Sequence, residues 1–295
     1  QLTNGLAVGG IYALIALGYT MVYGVLKLIN FAHGDLFTIG AYLGLTLLTT
    51  LGLTNYLGPF GVVAVLAVMV MGLVAIVGAA LERVAYRPLR TSHRLSAVVS
   101  ALGASIFFQN AVMLIYGARY KVYPHDILPR AAIHVFGLDI PVVRLMILAT
   151  SILMMIALYL FIQRTRIGTA IRAAAIDQGA AKLMGINVDR VIMIVFLIGP
   201  ALGGAAGLMV GLYYGQINFT MGWLYGLKAF TAAILGGIGN IPGAMVGGLL
   251  LGVIEAMGAA YISIAWKDAI AFLVLIIILI VRPTGLLGER VAEKI

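Results

Sequence analysis

An all-α protein crossing a membrane many times is the fold class this sequence predicts, and three observations predict it. Of 295 residues, 63% are hydrophobic and 10% charged, whereas soluble domains carry about 25% charged residues. Apolar runs of about 20 residues, each long enough to cross a bilayer, recur along the whole chain. Lys and Arg gather in a few short stretches between those runs. Residues 1–295 are therefore read as a single transmembrane domain of about eight or nine crossing helices, discontinuous ones among them.

The first run, 6–26, has no basic leader and no small-residue cleavage motif, so it is a span and not a signal peptide. The second, 28–51, is interrupted by Asn30, His33, Gly34 and Asp35. A helix starting near Leu36 is expected there, with Asp35 as N-cap by residue type. The third covers 60–81 and leads into ERVAYRPLRTSHR, where Arg83, Arg87, Arg90 and Arg94 stand against Glu82. That density of Arg marks a cytoplasmic loop. The fourth run, 97–116, leads to an outer loop, 117–140, of mixed charge with Pro124 and Pro129. The fifth, 141–161, returns to residues 164–190, which cannot lie in hydrocarbon: Arg164, Arg166, Arg172, Lys182 and Arg190 stand against Asp177 and Asp189. Alanines and glycines between these charges favour one short helix with a thin surface. The sixth run, 191–214, ends in an uncharged outer loop, 216–224.

Parity constrains the last third. Passing from an outer Trp223 to an inner, basic end (Arg282, Arg290, Lys294) takes an odd number of crossings, and the clear runs 244–261 and 268–281 supply only two. Residues 228–239 must therefore traverse part of the membrane, bounded by the helix breakers Gly236, Gly237, Gly239 and Pro242. Irregular backbone at that depth has to line protein or a water-filled path. The other such place is 30–35, and the two share a pattern. Ile29-Asn30-Phe31 before Gly34 recurs as Ile217-Asn218-Phe219 before Gly222, as expected of broken segments in two halves of a transporter. Candidate lining residues of a substrate path are Asn30, Phe31, His33, Asp35, Asn218, Phe219 and, in the run 244–261, Glu255. For Glu255 a proton relay or substrate contact stands beside simple pairing within the bundle.

Gly199, Gly203, Gly207, Gly211 and Gly215 fall every fourth residue, as do Gly248, Gly252, Ala256 and Ala260, and Gly5, Gly9 and Ala13. Close helix–helix approach explains such series in lipid. The net charge of +9 follows from basic cytoplasmic loops, and no basic patch interleaved with aromatics suggests nucleic acid. With no cysteine there is no disulfide framework. His33, His93, His125 and His134 are too scattered to hold a metal. No phosphate-cradling G-x-x-x-x-G-K-[ST] motif and no nucleophile–base pair is present, so the chain is no enzyme and any ATP is handled elsewhere. Residues 164–190 admit three readings: a lipid-bound amphipathic helix, a plain connector, or a docking face whose alanines let a partner groove close tightly. Few bulky apolar residues disfavour the first.

Several longer motifs now meet: GLAVGGIYALIALGYTMVYGVLKLINFAHGDLFTIGAY, ERVAYRPLR, the stretch 164–190 with LMGINVDR, and KAFTAAILGGIGNIPGAMVGGLLLG with RPTGLLG near the end. Together they closely resemble the permeases of bacterial branched-chain amino acid ABC importers, of the binding-protein-dependent inner-membrane type, in the H-type branch. The resemblance covers essentially the whole chain. It implies a multi-pass protein of the bacterial inner membrane, paired with a sister permease as a heterodimer. It also implies two ABC ATPase subunits, which carry the ATP and magnesium, and a periplasmic binding protein delivering leucine, isoleucine or valine. This chain would bind no cofactor itself. The family's coupling loop maps onto 172–187, with Arg172, Ala173, Ala174, Asp177, Ala181, Met184 and Gly185 at matching positions. Ala173-Ala174-Ala175 replaces the Glu-Ala-Ala signature of many other importers. Rival readings are a same-family permease for urea or short amides and a proton-driven secondary transporter working through Asp35 and Glu255; a channel lacks any filter motif.

Overall fold

Helix follows helix along the chain, as the apolar runs dictate. The structure, a computed structural model, describes residues 1–52, 56–90, 92–124, 132–135 and 138–288. His125, Pro129, Arg290 and Lys294 lie outside the described residues. The helices are α1 (Leu2–Leu26), α2 (His33–Leu51), α3 (Pro59–Leu81), α4 (Arg94–Tyr116), α5 (Val142–Arg164), α6 (Arg166–Ile176), α7 (Gln178–Leu183), α8 (Val188–Tyr214), α9 (Met221–Gly236), α10 (Ile241–Tyr261) and α11 (Lys267–Val281). Among the described residues, eight helices are long and apolar enough to span a membrane. The partial crossing expected over 228–239 corresponds to α9, whose 16 residues reach about 24 Å, short of a hydrocarbon core of about 30 Å.

The partial crossing therefore begins at Met221 and not at Lys228, and the outer loop shrinks accordingly. Trp223, placed in that loop by composition, is already helical because α9 is buried against α1, α2 and α10. Beyond Leu81 the chain continues through a π turn, Glu82–Tyr86, and a short 3₁₀ turn, Arg87–Leu89.

α1 is the central helix, buried along nearly its whole length between α5, α8, α9 and α10. Apolar attraction cannot hold helices together in lipid, so close backbone contact does. A Cβ added at Gly252 would lie 2.3 Å from the Gly9 Cα, and one at Gly40 would lie 2.4 Å from the Gly204 Cα. Gly199 likewise faces Gly18. The packing explanation holds for most of the small-residue series, but Ala260 is exposed, Gly211 faces the ring of Tyr123, and Gly215 has another role. That residue ends α8 in the left-handed conformation (φ 71), where glycine alone carries no steric penalty.

Among the described residues, four short strands lie in the connections: β1 (Lys121–Val122), β2 (Ala132–Val135), β3 (Leu138–Pro141) and β4 (Gln216–Ile217). β1 pairs antiparallel with β4, Lys121 opposite Ile217. The two loops expected outside thus meet at one end. At the other end sit the basic stretches. Arg90 joins Glu82 to Asp189, and Leu286 N–H donates to the Leu235 carbonyl at 2.8 Å, bringing the C-terminal segment beside the end of α9. α9, α10 and α11 follow one another between β4 and Arg282.

Candidate functional site

α1 stops at Leu26, and Lys27 caps it in the left-handed conformation (φ 54), the only described non-glycine residue with positive φ. The chain then turns at Asn30, whose Oδ1 accepts from the Ala32 N–H at 3.1 Å and from the Tyr86 hydroxyl at 2.8 Å. This side-chain turn, and not Asp35, opens the second helix. α2 starts at His33, three residues before the expected Leu36, and Asp35 lies inside its first turn without capping it. A helix-starting turn on Asn30 satisfies the orphan amide earlier than a cap at Asp35 would.

The counterpart segment has the same construction. Asn218 Oδ1 accepts from the Thr220 N–H at 3.1 Å, and α9 begins three residues after Asn218 as α2 begins three after Asn30. The two helix starts touch: a Cβ on Gly34 would lie 2.2 Å from the Gly222 carbonyl oxygen, and one on Gly222 2.3 Å from that of Gly34. The short echo in the sequence is thus a structural repeat whose halves cross at their glycines.

His33 is fully buried. Its ring meets Tyr19 edge-on at 4.7 Å and sits over Gly18, where any Cβ would lie 2.2 Å from Nε2. Neither ring nitrogen makes a hydrogen bond, and Asn30 Nδ2 and Asp35 Oδ1 are likewise buried without partners. Asp35 Oδ2 accepts from Ser105 on α4, which Gln109 supports. Buried polar groups without partners are costly, so their concentration at one helix start marks it out. Phe31, next to Asn30 in sequence, is half-buried, as are Asn218 and Phe219 in the counterpart segment before α9. Glu255 stands apart, paired within the bundle: it accepts from the Tyr12 hydroxyl at 2.8 Å and pairs with Lys228 and Lys267 at 2.9 Å each.

The basic stretch 164–190 folds as two helices, where one was expected. Thr165 caps α6 on the Gly168 N–H, and Asp177 caps α7 on the Gly179 and Ala180 N–H groups at 2.7 and 3.0 Å. An aspartate is the residue type that interrupts a helix to start another. Most of the alanines do not form the outer face: Ala174 and Ala181 are buried against the bundle and Ala173 is half-buried, while Ala180 is exposed. What projects is Ile176, Leu183 and Met184, exposed by 88, 90 and 81%. Gly185 reverses the chain behind them (φ 81), and Arg172 turns back on Gln163. Periodicity alone gave no sign that the small residues would face inward.

A family model described as the permease component of the branched-chain amino acid transport system matches residues 1–279. The chain belongs to this permease family. It is 47% identical to the high-affinity branched-chain amino acid transport system permease protein BraD of Pseudomonas aeruginosa, over 100% of this chain and 97% of that protein. It is 45% identical to the permease protein LivH of Escherichia coli K12, over the same shares of each. A probable branched-chain amino acid transport permease of Methanocaldococcus jannaschii is 27% identical over 97% of this chain. No solved structure matches. This permease is accordingly a multi-pass membrane protein, and the relatives it matches are permease components of transport systems.

Proposed function

We propose that this permease moves leucine, isoleucine and valine across the bacterial inner membrane as a transmembrane permease subunit of an ATP-driven importer. In that reading it pairs with a sister permease, receives substrate from a periplasmic binding protein, and is driven by two ABC ATPases that hold ATP and magnesium. The observation that carries the reading is the apolar face of the α6–α7 segment: Ile176 at the end of α6 and Leu183 and Met184 at the end of α7 stand out at the basic end of the bundle. Exposed apolar side chains on an otherwise charged surface mark a protein contact. Closure of the ATPases pulls α7, and the path opens by alternating access along the contact of α2 and α9. Asn30, Phe31, His33, Asp35, Asn218 and Phe219 line it, with apolar walls that hold aliphatic substrates weakly.

Leu183→Asp tests this. It leaves the cap on Asp177 and the left-handed Gly185 intact, unlike changes at those two residues, which alter the shape of α7 itself. The expected outcome is an inserted, folded permease that no longer co-purifies with ATPase subunits and has lost ATP-driven leucine uptake. Uptake at the normal rate would sink the docking assignment.

A further inference from the structure

We infer that Gln178 is the positioning residue through which the docked segment moves the α1–α2 break, an inference resting on α7 being the docked element. Val25 lies in the last turn of α1, where carbonyls have no donor within the helix because the helix stops at Leu26. Gln178 Nε2 donates to the Val25 carbonyl at 2.7 Å, across 153 positions of sequence. Gln178 is the first residue of α7, next to the capping Asp177, so the contact sits at the fixed start of the helix whose far turn carries Leu183 and Met184.

From Val25 the route to the break is short. The chain passes the left-handed Lys27 and reaches Asn30, whose Oδ1 holds the Ala32 N–H and the Tyr86 hydroxyl. A shift of α7 along its own axis therefore pulls on the last carbonyls of α1 and tilts the turn that starts α2. The surroundings allow that movement. A cavity of about 170 Å³ lies beside the contact, bordered by Leu26, Leu28, Tyr86, Arg90 and Gln178. Close-packed interiors resist displacement, and here the last turn of α1 has room. A second tie closes the circuit: Arg90 bridges Glu82, in the π turn that bears Tyr86, to Asp189 at the start of α8. Both exits of the docked segment thus reach the same Asn30 turn.

The test is substrate moved per ATP hydrolysed by the complete importer in proteoliposomes. Gln178→Leu is expected to keep its ATPase subunits and their hydrolysis, while leucine moved per ATP falls about tenfold, the scale of one lost hydrogen bond. Gln178→Lys, whose ammonium reaches a helix-end carbonyl equally well, restores the ratio. A normal ratio in Gln178→Leu overturns the inference. So does a loss that Gln178→Lys leaves unrepaired, or loss of the ATPase subunits from Gln178→Leu, which would make Gln178 part of the docking contact. Failure of the docking reading itself shows separately, as Leu183→Asp retaining its ATPase subunits.

Discussion

Glu255 accepts from the Tyr12 hydroxyl and pairs with Lys228 and Lys267, and Lys228 in turn reaches Asp268 at the head of α11. Both Glu255 and Lys228 are buried. Taking two charges out of water is expensive, and removing one partner strands the other, at about 3–5 kcal/mol. Glu255→Gln is therefore expected to destabilise the permease by about that amount, because two ammonium groups lose their shared carboxylate. Thermal unfolding in detergent measures it. Lys228→Met combined with Glu255→Gln should cost less than the two single changes added together, since each removes the reason for the other. A proton relay through Glu255 predicts instead that Glu255→Gln abolishes uptake with no loss of stability. The apolar run around Glu255 announced a buried carboxylate, but its three partners come from α1, α9 and the start of α11, distances in sequence that no local pattern spans.

At the scale of elements, the contact of α2 with α9 depends on two glycines. A methyl group on either Gly34 or Gly222 would meet the other's carbonyl oxygen at 2.2–2.3 Å. Backbone cannot yield as a side chain does, so Gly34→Ala and Gly222→Ala are each expected to cost about 1–3 kcal/mol and to lower uptake with the complex still assembled. Gly72→Ala, with nothing within 4 Å of the added Cβ, is expected to gain up to about 1 kcal/mol from helix propensity alone. Opposite signs in thermal unfolding at Gly72 and Gly34 check both. The helices themselves were legible, because an apolar run of about 20 residues has one stable form in lipid. The repeat of Ile-Asn-Phe was legible too, and parity placed α9 between α8 and α10. Two things were not. The start of α2 depends on a turn by Asn30 that Tyr86 completes from 56 positions away. The inward orientation of Ala174 and Ala181 depends on how α6 and α7 lie against α8, which composition does not encode.

Across the whole molecule the two ends are fastened differently. Beside the backbone bond of Leu286 to Leu235, the basic end is joined by side chains, Gln178 to Val25, Tyr86 to Asn30 and Arg90 to Glu82 and Asp189, with a cavity among them. The outer end is closed by backbone pairing of β1 with β4 and by one plug, Tyr123. Tyr123 is fully buried; its hydroxyl donates to the Ala41 carbonyl of α2, and its N–H donates to the Gly215 carbonyl at 2.9 Å. Its ring lies over Gly211, where an added Cβ would come within 2.3 Å, so α8 makes space for it. Tyr123 thus fastens the outer loop to α8 and to α2, the helix that forms one wall of the proposed path. Tyr123→Phe removes only the hydrogen bond and should cost about 1 kcal/mol. Tyr123→Ala empties the plug's seat and should cost about 3–5 kcal/mol, measured by thermal unfolding. Under the proposed mechanism, an outer end without Tyr123 no longer has to be forced apart by the ATPases. Tyr123→Ala is therefore expected to raise ATP hydrolysis in the absence of binding protein, relative to the unaltered importer, while Tyr123→Phe leaves it near normal. Equal hydrolysis in both variants would confine Tyr123 to a structural role.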